Sequence, residues 1–131
     1  MKLNIDCVRD VLLQCENIPL NNSLKLSELA NALPKYSEDE IVYTCLKLKE
    51  ADYLHIVIKQ IGSATTVVKV TDITFSGHEF IEKIRPDSVF STTKKVLGKI
   101  GVFSINMTSQ VAGSVISALI SQFLPEFLMN L

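Results

Sequence analysis

Apolar positions recur at intervals of three and four from the start of the chain. Ile5, Val8, Leu12 and Cys15 fall on one face, with Arg9, Asp10 and Glu16 on the other, and Asn4 stands before them as a residue suited to a helix cap. The spacing predicts a helix over about residues 4–17, closed by Pro19 and Asn21-Asn22. A second helix is expected from near Ser27, with Glu28 as an early acid, Leu29, Ala30 and Leu33 as its apolar face and Pro34 at its end. The third start is sharper. Ser37 with Glu40 three residues later reads as a capping box, and Glu38, Asp39 and Glu40 sit where the helix dipole favours acids. Ile41, Cys45 and Leu48 form its buried stripe, flanked by Val42 and Leu46, up to about Asp52.

The period then changes. Tyr53 to Ile58 and Thr66 to Val70 are β-branched and aromatic, and Ile61-Gly62-Ser63-Ala64 between them supplies turn residues, which predicts a β-hairpin. Thr74 caps a following helix that carries Phe80 and Ile84 one turn apart. Pro86-Asp87 opens another, with Val89, Phe90, Val96, Leu97 and Ile100 on its face and Gly98 and Gly101 weakening its end. From Ile100 to Pro125 there is no charged residue, and a last helix is expected over about Thr108–Leu124, broken by Pro125.

Composition narrows the function classes. Net charge is −1, with 13 basic and 14 acidic residues, so there is no global basic field of the kind a dedicated nucleic-acid binder shows. Cys7, Cys15 and Cys45 form no CxxC pair and lie in apolar helical patterns, as buried free thiols of a reducing cytoplasm would. The first ten residues include Asp6 and Asp10 and no long apolar run, so no secretory leader is expected. His55 and His78 have no partners at metal-ligand spacing, and no phosphate-cradling glycine motif or nucleophile elbow is present. A non-catalytic protein without a cofactor is expected.

Three helices followed by a hairpin is the layout of a winged helix, and the short Pro34-Lys35-Tyr36 turn suits a helix-turn-helix. The expected class is α+β, mainly α: a winged helix-turn-helix over residues 1–85 with a helical extension over 86–131. Tyr36-Ser37-Glu38-Asp39-Glu40-Ile41, Leu48 to Leu54, Thr71 to Ile81 and the opening Met1 to Asp10 carry a resemblance. Over about residues 1–100 the chain resembles an uncharacterised family of small winged-helix proteins of bacterial genomes, prophages and phages of Gram-positive hosts. The resemblance implies the fold and a phage or prophage setting, and it carries over no catalytic or ligand residues.

Three surfaces are candidates. The acidic third helix and the wing offer Glu38, Asp39, Glu40, Lys47, Gln60 and Ile61 to a protein partner. From Ser37 to Asp52 there are five acids and two bases, a balance that phosphates would repel. The last helix offers Val111, Val115, Ile116, Leu119, Ile120 and Phe123, and an uncharged helix of this kind must be covered. Its cover is the winged helix of its own chain, a second copy brought close at Gly113, Ser117 and Ser121, or a membrane. The membrane is disfavoured by the polar residues that interrupt the span. Lys94, Lys95 and Lys99 form a basic cluster that a solvated helix face also explains. The expected function is a cytoplasmic interaction or regulatory module that binds itself and another protein. A DNA-binding regulator that uses bases outside the third helix is the alternative.

Overall fold

Asn4 caps the first helix as its chemistry suggests. In the computed structural model, which describes residues 1–131, its Oδ1 accepts from the backbone N–H groups of Asp6 and Cys7, and α1 runs Ile5–Cys15. The remaining elements are β1 (Leu24–Lys25), α2 (Leu26–Ala32), α3 (Glu38–Glu50), β2 (Leu54–Ile61), β3 (Ala64–Ile73), α4 (Phe75–Ile84), α5 (Asp87–Ile100) and α6 (Ile105–Met129). The class is α+β and mostly helical, with one small antiparallel sheet ordered β1-β3-β2. The chain forms two compact units, Met1–Ile81 and Glu82–Leu131.

In the first unit α1, α2 and α3 bury Val8, Val11, Leu12, Leu29, Ile41 and Leu48 completely. Polar contacts fix how the helices meet. Asn4 Nδ2 donates to Glu40 Oε1 at 2.8 Å, so the residue that caps α1 also holds the first turn of α3. Tyr36 Oη donates to Asp10 Oδ2 at 2.6 Å, tying the α2–α3 turn to α1. All three cysteines are buried free thiols. Burial pushes the Cys45 thiol up to about 12 and raises Cys7 and Cys15 as well, so none is a thiolate at neutral pH.

The sheet departs from simple alternation. Pairing along β3 jumps from Asp72 to Val70 and from Lys69 to Val67 as β2 advances one residue at a time, which leaves Thr71 and Val68 as two bulged residues. The buried positions on β3 are therefore Val67, Val70 and Ile73, three apart rather than two, and Val68 turns outward. The two-residue strand β1, where a loop is expected from sequence, pairs Leu24 with Val70. The turn expected over Ile61–Ala64 is tighter. Ile61 pairs with Ala64, and Gly62 takes a φ of +63° to close a two-residue turn.

Where β3 ends, Thr74 does three things. Its Oγ1 accepts from the Gly77 N–H, its hydroxyl donates to the Asp52 carbonyl at 2.6 Å, and its N–H donates to the Tyr53 carbonyl. That clamp brings α4 so close that no side chain fits at Gly77. Phe80, 2% exposed, stacks on Tyr53 with ring centroids 5.1 Å apart.

In the second unit α5 and α6 form a helical hairpin. Gly101, at φ +80°, ends α5 and donates to the Leu97 carbonyl. Val89, Phe90, Thr93 and Leu97 are the buried face of α5, whereas Ile100, expected on that face, is 52% exposed. Ser104 caps α6 by accepting from the Met107 N–H, so the helix starts three residues before its expected position. It also continues through Pro125 to Met129. The Ser121 carbonyl that Pro125 leaves without an intrahelical donor lies on an exposed stretch, open to solvent.

Candidate interaction surfaces

The acidic end of α3 divides into two kinds of residue. Glu38 and Asp39 are exposed, but Glu40 is half-buried and its carboxylate is taken by Asn4. The capping box expected of Ser37 and Glu40 is therefore only half formed: Ser37 Oγ accepts from the Glu40 N–H, but the Glu40 carboxylate serves Asn4 rather than the Ser37 N–H. Farther along α3, Lys47 pairs with Glu50 at 2.7 Å and lies over the Tyr43 ring. Gln60 and Ile61 end β2 beside the hairpin turn, and Ile61 is 60% exposed.

Lys47 and the hairpin meet in one groove. Tyr43, Leu46, Lys47 and Glu50 of α3 face Ile58 and Thr65 across a cleft of about 330 Å³. Ile58 and Thr65 escape a reading by period, because the bulges decide which hairpin residues turn towards α3. Glu38 and Asp39 do not line this cleft.

The candidate residues on α6 fall into three groups. Val111 is buried, Val115, Ile116 and Leu119 are half-buried, and Ile120 and Phe123 are exposed. Two clefts, of about 460 and 270 Å³, follow the seam between the helices. The first sets Val96 beside Met107, Val111 and Val115, and the second sets Ser88 and Thr92 beside Ala118, Leu119 and Gln122. The helices thus run antiparallel. At about 1.5 Å per residue, the 25 residues of α6 outreach the 14 of α5 by roughly 16 Å. The overreaching end carries Phe123, Leu124, Phe127, Leu128 and Met129, each at least 48% exposed. Phe127 and Leu128 lie beyond Pro125, which from sequence marks the helix end.

By length and composition alone, α6 is also able to cross a membrane. The qualifying window is almost wholly exposed, and α5, along which the stretch from Met107 to Gln122 lies, exposes Lys94, Lys95 and Lys99.

Lys94 sits over the Phe90 ring at 5.3 Å. Lys95 and Lys99 are one turn apart on α5 and make no ion pair within the chain, nor does Glu126 on α6.

A family model described as Hypothetical protein (DUF2513) matches residues 2–103. The chain belongs to this family. The match to DUF2513 takes in α1 to α5 and stops in the turn before α6. Among curated proteins, the chain is similar to an uncharacterized protein of Haemophilus influenzae, 24% identical over 123 residues, which span 92% of this chain and the whole of the relative. No solved structure matches the chain. Membership of DUF2513 assigns no activity, so the surfaces above carry the functional reading.

Proposed function

We propose that the chain is a non-catalytic interaction module. In this reading residues 1–85 form a winged helix that meets a protein partner through α3 and the hairpin, and residues 86–131 bring two copies together. The order of three helices and a hairpin supports the winged helix, with α3 in the recognition position and Gly62-Ser63 at the tip of the wing. A phage or prophage setting rests on the family resemblance of the sequence, and a cytoplasmic place on the buried thiols.

The observation that carries the reading is the exposed, nearly uncharged end of α6. Large apolar side chains grouped on one projecting helix mark a surface made to be covered. Phe123→Glu with Phe127→Glu tests it, because both residues are exposed and neither is part of the core, unlike half-buried Leu119. Light scattering is expected to give a mass above 14.5 kDa for the wild type and the monomer mass for the double variant, with the melting curve unchanged. Equal masses for the two would count against it.

DNA binding through α3 has less behind it. Glu38 and Asp39 are exposed at the end that would enter the major groove, and Lys47 is already paired. Glu38→Lys with Asp39→Lys is expected to raise affinity for mixed-sequence duplex DNA at low salt, read by fluorescence anisotropy. No gain would contradict the placement of α3 as a recognition helix. Tight wild-type binding that falls steeply with salt would favour the DNA regulator instead.

A further inference from the structure

We infer that the outer face of the sheet holds a site for a small phosphorylated sugar, in the cleft between the α1–β1 loop and β3. The site lies apart from the interaction surfaces above, and the register of the sheet builds it.

β2 runs without a bulge, so His55 and Val57, two residues apart, point to the same face. Their partners on β3 are Asp72 and Lys69. In a regular strand two residues three apart fall on opposite faces; here the bulged Thr71 brings them to one face. It is the outer face, because Val70 and Ile73, paired with Ile56 and Leu54, are buried on the other. Lys69 and Asp72 both line a cleft of about 350 Å³, which Asn21, Asn22 and Ser23 border from the loop. A β-turn holds that rim in place. The Asn22 N–H donates to the Pro19 carbonyl, and Asn21 takes a φ of +65°.

Charge selects one end of the ligand. Lys25 on β1 stands directly opposite Lys69, so two like charges are rooted about 5 Å apart. Opposed like charges weaken a sheet, and neither lysine makes an ion pair within the chain. Two acids nearby are engaged by backbone: Glu28 Oε1 accepts from the Lys25 N–H, and Asp72 Oδ1 from the Ile73 N–H. A phosphate monoester carries about 1.5–2 negative charges at neutral pH, so it matches two lysines where a carboxylate matches one.

Hydrogen bonding selects the other end. The Asp72 carboxylate accepts, while the Asn21 and Asn22 amides and the Ser23 hydroxyl both donate and accept, as the hydroxyls of a sugar require. Small-ligand pockets run from about 300 to 1,000 Å³, and a cleft near the lower end suits a single sugar phosphate.

Calorimetric titration of the full-length protein with ribose 5-phosphate, glucose 6-phosphate and inorganic phosphate reads the site. At least one sugar phosphate is expected to bind saturably, about tenfold or more tighter than inorganic phosphate. Lys69→Gln is expected to weaken both kinds of ligand at least about tenfold. Asp72→Asn should weaken the sugar phosphate alone, because it loses an acceptor for hydroxyls while removing a charge that repels phosphate. Asp72 is exposed and Lys69 half-buried, and Lys69→Gln relieves the opposed charges, so the unliganded Tm should hold or rise. Lys99→Gln on α5 is the control and should leave every affinity unchanged. No saturable binding of either sugar phosphate, or binding that Lys69→Gln leaves intact, would overturn the site. Equal affinity for sugar phosphate and inorganic phosphate would overturn the sugar. Duplex DNA binding lost in Lys69→Gln, with both sugar phosphates silent, would overturn the small-molecule site and assign the lysines to a nucleic-acid backbone.

Discussion

Gly77→Ala lowers the stability of the first unit by about 2 kcal/mol, although alanine is the better helix former by about 1 kcal/mol. The new Cβ would stand 2.3 Å from the Tyr53 carbonyl oxygen and 2.7 Å from Ile73 Cγ1. The carbonyl cannot swing away freely, because it accepts from the Thr74 N–H at 3.0 Å, and Thr74 in turn caps α4. Ile73 is buried at the end of β3 and has no free volume to retreat into. Overpacking against backbone typically costs about 1–3 kcal/mol and sometimes more, so the clash outweighs the helix preference. Thermal denaturation followed by circular dichroism should show Tm falling by roughly 5–10 °C. Gly98→Ala is the matched control: it also lies within a helix, but a Cβ there meets nothing within 4 Å, and Tm should hold or rise. Equal responses at the two glycines would contradict the close approach of α4 to the end of β3.

Phe80→Ala should be the more damaging change, at about 3–5 kcal/mol. The ring is 2% exposed and stacks on Tyr53 at an interplanar angle of 28°, so its removal loses both the burial and an aromatic contact. Native domains are stable by only about 5–15 kcal/mol, and such a loss takes a large share of the total. The urea midpoint should fall with little change in slope, whereas Phe80→Leu should keep most of the stability because it keeps most of the volume. A midpoint unmoved by Phe80→Ala would show that the Tyr53–Phe80 pair is not part of the core.

The helices were legible in the sequence wherever a polar cap met an apolar period. Asn4, Ser37 and Thr74 each mark a helix start that the structure contains. The strands were legible as β-branched runs, but their inner face was not. Two bulged residues, Thr71 and Val68, turn a period of two into one of three, and nothing in the composition of Ala64–Ile73 announces them. β1 is too short to show a period at all. Pro125 misled in the opposite direction. Proline usually ends a helix because it withdraws a donor and crowds the preceding turn, yet on an exposed helix the freed carbonyl has water to turn to.

The candidate surfaces were legible in part, for the same reasons. Glu38, Asp39 and Glu40 look equivalent in sequence, and only the meeting of α1 with α3 separates Glu40, which serves Asn4, from its two exposed neighbours. On α6 the absence of charge was plain, but which apolar residues stay uncovered depends on how far the helix outreaches α5. Val111 goes to the intramolecular seam, and Phe123 and Phe127 remain outside it.

Sedimentation equilibrium of the wild-type chain, over a range of concentrations at low and high salt, bears on the whole reading. An apolar interface should give a mass that rises with concentration above 14.5 kDa and persists at high salt, where surface charges are screened. A constant monomer mass under all these conditions would contradict it.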